Sequence, residues 1–65
     1  MDEDLEVLKE HVEALKLDQK TSFDLKDVRD LRDALVESDE MTLANYVFNL
    51  KPGELEDLIV NNLYA

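Results

Sequence analysis

Apolar side chains at Met1, Leu5, Leu8, Val12 and Leu15 recur in steps of four, three, four and three. That spacing gathers them into one stripe of an amphipathic α-helix. Glu3, Glu6, Glu10 and Glu13 fall on the opposite side as a continuous acidic ridge. The pattern predicts a helix over residues 2–17. Asp2, Glu3 and Asp4 would occupy its first turn and Lys16 its last, which are the placements the helix dipole favours.

Asp18-Gln19-Lys20-Thr21 carries no apolar residue and reads as a connector. Thr21 or Ser22 can cap a second helix by accepting a hydrogen bond from a free backbone N–H. This helix is expected over 22–37, with Leu25, Val28, Leu31, Leu35 and Val36 facing inward. Asp30, Asp33 and Glu37 form a second outer acidic row, interleaved with Lys26 and Arg29. The Lys26–Asp30 and Arg29–Asp33 spacings suit ion pairs worth at most about 0.5 kcal/mol each.

Ser38-Asp39-Glu40 breaks the pattern and offers another cap. Beyond it, Leu43, Ala44, Tyr46, Val47, Phe48 and Leu50 cover a wide arc of a helix expected over 42–50. Lys51-Pro52-Gly53 interrupts, with Pro52 suited to a first helical position because its missing N–H is not needed there. Leu55, Leu58, Ile59, Val60 and Leu63 continue a last helix over 53–64. Wide apolar arcs usually mark central helices. The expected architecture is therefore all-α: one domain spanning 1–65, a small bundle of three to four short helices, with two acid-backed helices wrapped on a short apolar pair. No hairpin signal, long alternating stretch, repeat or low-complexity tract competes with that reading.

Charge then decides the class of partner. Seventeen acidic residues against seven basic ones leave a net charge of −10 on 65 residues. Fourteen of the acidic side chains lie in residues 1–40. Such a body repels nucleic acid and anionic membranes and attracts basic protein surfaces. The absence of cysteine removes disulfides, thiolate zinc sites and thiol catalysis. The acidic Met1-Asp2-Glu3-Asp4 start is the reverse of a signal peptide. Apolar runs reach only three residues, as in Leu58-Ile59-Val60, against the roughly 20 that span a bilayer. A cytoplasmic protein is expected.

Candidate chemistry is sparse. One glycine, Gly53, cannot build a phosphate-cradling loop. One histidine, His11, cannot form a His-x-x-x-His zinc pair, and it borders the inner stripe as a half-buried helix residue. Asp24, Asp27, Asp30 and Asp33 recur every third position, but a calcium loop needs alternate ligands and a glycine at its turn. Ser22, Ser38 and His11 lack the context of an activated nucleophile. No enzymatic activity, metal or cofactor is expected.

Three features bear on binding. The acidic rows, represented by Glu6, Glu10, Glu13, Asp30, Asp33 and Glu37, are either a solvating surface or a docking surface for a basic protein. Arg32 falls inside the apolar stripe of the second helix, so it pairs or reaches solvent within the fold, or else serves an interface, where arginine is enriched. The apolar stretch Leu58–Ala65 is either core or an interaction strip, and its Leu63-Tyr64-Ala65 end could also be read by degradation machinery. The favoured function is a non-enzymatic module that binds a protein with a basic surface and modulates it, inhibition being the expected form, with no direct contact to nucleic acid or membrane. A DNA mimic that occupies a nucleic-acid-binding protein is a narrower form of it. The alternative is a self-associating assembly unit, a homodimer in its simplest form.

Overall fold

The computed structural model describes residues 3–64. Four α-helices follow one another: α1 (Glu3–Ala14), α2 (Leu25–Glu37), α3 (Met41–Phe48) and α4 (Pro52–Asp57). A short 3-10 turn, Leu17–Gln19, lies between α1 and α2, and α4 runs on into a π-helical segment, Leu58–Leu63. No strand occurs among the described residues, and none of these helices is long and apolar enough to cross a membrane. The chain is a small all-α bundle. Met1 of the heptad stripe, Asp2 of the first turn and the terminal Ala65 lie outside the described residues.

The stripe of α1 is shorter than its spacing predicts. Leu8 and Val12 are buried, but Leu15 is exposed. The helix ends at Ala14 and the chain reverses through Lys16, which adopts the left-handed conformation at φ 61°. Lys16 therefore lies past the helix end and not in its last turn. The reversal swings Leu17 into the core, a residue off the heptad stripe.

The start of α2 also differs from the expected cap. Thr21 and Ser22 lie in the loop, and Asp24 is the N-cap. Its carboxylate accepts from the Asp27 N–H at 3.1 Å, while the Asp27 carboxylate accepts from the Asp24 N–H at 3.0 Å. This reciprocal box satisfies two backbone donors that helix geometry leaves without partners. Lys20 donates to the same Asp27 side chain at 2.9 Å and ties the connector to the helix. Lys26 pairs with Asp30 at 2.6 Å as its spacing suggests, whereas Asp33 accepts from Arg32 and not from Arg29.

The central helix is α2, contrary to the expectation that the apolar pair would lie inside. α2 packs against α1, α3 and α4. Three of its residues, Val28, Leu31 and Leu35, are among the six largest fully buried side chains. Its stripe is narrow, but each of these residues is covered from several directions. α3 is apolar around more of its circumference and leaves Tyr46 and Phe48 about half exposed. Leu43, Ala44 and Val47 are its buried residues, and Leu25, Val36 and Val60 are exposed despite being expected inside.

The last helix begins at Pro52, which takes the expected early position, and Glu54 accepts from the Lys51 N–H at 2.9 Å. Leu55, Leu58, Ile59 and Leu63 keep the three- and four-residue steps of one helical face, and all four are buried. Over Leu58–Leu63 the helix is of the wider π type, with hydrogen bonds from i to i+5. Tyr64 N–H accordingly bonds to the Ile59 carbonyl, five residues back, at 3.1 Å.

Candidate protein-interaction surfaces

Helical periodicity carries Glu3, Glu6, Glu10 and Glu13 to the exposed side of α1, opposite the buried Leu8 and Val12. Glu6, Glu10 and Glu13, with Lys9 between them, border an open hollow of about 400 Å³ on this face. The ridge is not uniform. The Tyr64 hydroxyl donates to Glu13 Oε2 at 2.7 Å, and Lys9 Nζ stands 4.9 Å from the centre of the Tyr64 ring. Burial against α1, the bond to Glu13 and the negative charge of Glu13 and Asp18 push the Tyr64 phenol up to about 12. The chain end is thus latched across one end of the ridge. Glu6 and Glu10 make no ion pair or hydrogen bond through their side chains among the described residues.

On α2 the aspartates at every third position have four separate tasks. Asp24 caps, Asp27 is buried under Lys20, Asp30 holds Lys26, and Asp33 accepts from Arg32 Nε at 2.7 Å. The hydrogen bond and charge of Asp30 raise the pKa of Lys26 above the ordinary lysine value. Asp33 and Glu37 are exposed and Asp30 half-buried. Glu37 lies in the last turn of α2, where the helix dipole disfavours a carboxylate. No group of three or more carboxylates or imidazoles among the described residues could hold a metal ion.

Arg32 lies at the edge of the α2 stripe, with its side chain 29% exposed. Besides its bond to Asp33, its guanidinium carbon stands 4.8 Å from the centre of the Phe48 ring, within reach of a cation–π contact. The cation is thus paired within the fold and still reaches solvent. His11 is half-buried, as expected. Its Nδ1 lies 2.9 Å from the Val7 carbonyl, which can only accept, so Nδ1 carries the proton. In the neutral ring Nε2 then accepts from the Ser38 hydroxyl at 3.0 Å, linking α1 to the end of α2.

Among the described residues of the C-terminal stretch, Leu58, Ile59 and Leu63 are buried in the core, and Val60, Asn61, Asn62 and Tyr64 reach solvent. A second cleft, about 280 Å³, opens where Leu5 and Leu8 of α1 meet Leu43 and Tyr46 of α3, with Asp4 at its border.

Sequence reasoning missed two groups here. Asp27 carried a signal, because Asp24-x-x-Asp27 has the spacing of a reciprocal cap. The Tyr64–Glu13 contact spans 51 positions and had none. The chain matches no protein-family model, no curated protein and no solved structure.

Proposed function

We propose that this chain is a non-enzymatic, acidic interaction module that binds a protein with a basic surface and inhibits it. The observation that supports this reading is the pair of acidic rows on outer helix faces, Glu6, Glu10 and Glu13 on α1 and Asp30, Asp33 and Glu37 on α2, with five of these six residues exposed and Asp30 half-buried. Carried by a body of net charge −10, these rows make a field that accelerates encounter with a cationic partner. Glu37 favours a role directed outward, since it adds to that field at some cost to its own helix. Occupation of a nucleic-acid-binding groove by these rows would be one form of such inhibition, and duplex DNA would then displace the module.

Two triple reversals to lysine test the proposal, one at Glu6, Glu10 and Glu13, the other at Asp30, Asp33 and Glu37. Both proteins are expected to fold. The first loses the Tyr64–Glu13 bond, and the second loses the Lys26 and Arg32 pairs, surface interactions that solvent screens. Partners captured from the native lysate by the parent are expected to be released by salt. One reversed protein is expected to lose them, mainly through slower association, and the other to retain them. If both reversed proteins bind and inhibit as the parent does, the charge only keeps the chain in solution. Exposed Val36, Met41 and Phe48 favour a second reading, self-association, and a concentration-dependent dimer that resists salt would support that reading instead.

A further inference from the structure

Resting on that interaction reading, we propose that the exposed edge between α2 and α3 is where the partner docks, and that the occupant is an amphipathic helix of net positive charge belonging to another protein. At about 100° per residue, Leu25, Arg32 and Val36 lie within roughly 40° of one another on α2. Met41 and Phe48 are two turns apart on one flank of α3. The Arg32–Phe48 contact at 4.8 Å joins the two flanks at this edge. Leu25, Val36, Met41 and Phe48 are each between 41% and 55% exposed, so the edge presents four large apolar side chains around one arginine. Contiguous apolar surface with an aromatic and an arginine at its centre is the composition of binding hot spots.

Charge selects the occupant. A second copy would set this edge against another body of net charge −10, and like-charged bodies repel. Asp33 and Glu37 stand beside the apolar edge on α2, with Asp30 further round. A helix that laid an apolar face on Val36, Met41 and Phe48 would therefore bring its flanking lysines or arginines to these carboxylates, the helix-in-groove mode of recognition. Arg29 also stands on this edge and would face a neutral or acidic position of the occupant. The α1 ridge has carboxylates at comparable spacing, but the large side chain recorded beside it, Tyr64, is engaged by Glu13 and Lys9. That ridge supplies attraction at a distance, and the α2–α3 edge supplies the contact.

The test titrates the isotope-labelled protein with a synthetic amphipathic helix of leucine and lysine, and separately with oligolysine of equal charge, while following backbone amide signals. The expected result is saturable binding of the amphipathic peptide, with signal shifts gathered on Leu25, Arg32, Val36, Met41 and Phe48. Oligolysine is expected to bind weakly and without that focus. Phe48→Ala is expected to weaken the amphipathic peptide by about tenfold or more, as hot-spot aromatics do, and Val36→Asn to act in the same direction should the first variant not fold. Shifts gathered on Glu6, Glu10 and Glu13 with unchanged affinity in Phe48→Ala would overturn this assignment and leave the proposed function standing. Failure of both cationic peptides to bind would overturn this assignment and the proposed function together. A dimer of the protein alone that is lost in Phe48→Ala would assign the edge to a second copy and overturn the heterologous occupant.

Discussion

Removal of residues 55–65 is expected to unfold the rest of the chain. The truncation takes Leu55, Leu58, Ile59 and Leu63, all buried. At roughly 1.5–3 kcal/mol for each fully buried aliphatic side chain, the four contribute about 6–12 kcal/mol. A whole domain has a net stability of about 5–15 kcal/mol, and small ones sit at the low end. The loss also strips the surface against which α1 packs, because α1 rests on both α2 and the π-helical segment. Far-UV circular dichroism and urea denaturation of residues 1–54 check the expectation. A cooperative transition in that fragment would show that the segment is dispensable to the core.

Asp27→Ala is expected to cost about 2–3 kcal/mol at neutral pH, the loss of the two hydrogen bonds that its buried carboxylate accepts, from the Asp24 N–H and from Lys20. Burial alone would raise the pKa of this carboxyl. The hydrogen bond from Lys20, the bond from the Asp24 backbone and the positive charge of Lys20 outweigh it and hold the group below the ordinary aspartate value of 3.8. The unfolded chain therefore binds this proton more readily than the folded one. The stability that Asp27 contributes is present above pH 3.8 and is lost as pH falls through the lower, folded value. Urea midpoints measured from pH 7 downward should show the parent and Asp27→Ala converging at the acid end. A constant gap across that range would refute the linkage.

How much of this was legible is clearest along α2. Its helical period, its outer acidic row, the Lys26–Asp30 pair and the burial of Val28, Leu31 and Leu35 all follow from spacing alone. Leu25 and Val36 have nearly the same claim to the inner face by spacing, yet they are exposed while Leu31 is fully buried. Periodicity states which side chains share a face of one helix. It does not state how wide a strip the neighbouring helices cover, and here the side of the stripe that holds Val28, Leu31 and Leu35 is covered while the flank of Leu25 and Val36 stays open. The same limit explains why α3, with the wider apolar arc, is less enclosed than α2.

The candidate site divides in the same way. Exposure of Glu6, Glu10, Glu13, Asp33 and Glu37 could be read from their position opposite apolar residues, and so could the need of Arg32 for partners. The identity of one of those partners could not, because Phe48 lies on another helix and meets Arg32 only once α2 and α3 are packed. Asp27 looked like one more surface aspartate in a row of four until Lys20 and the cap at Asp24 drew it inward.

Local interactions between residues a few positions apart were enough to determine the helices, the acidic rows and the all-α class. Tertiary packing alone decided which helix is central and where α1 stops. It decided too that Tyr64 crosses the acidic ridge to Glu13, and that Val36, Met41 and Phe48 remain in solvent together. Each of these depends on contacts between distant segments, and a core this small has too little surface to cover every apolar side chain the sequence supplies.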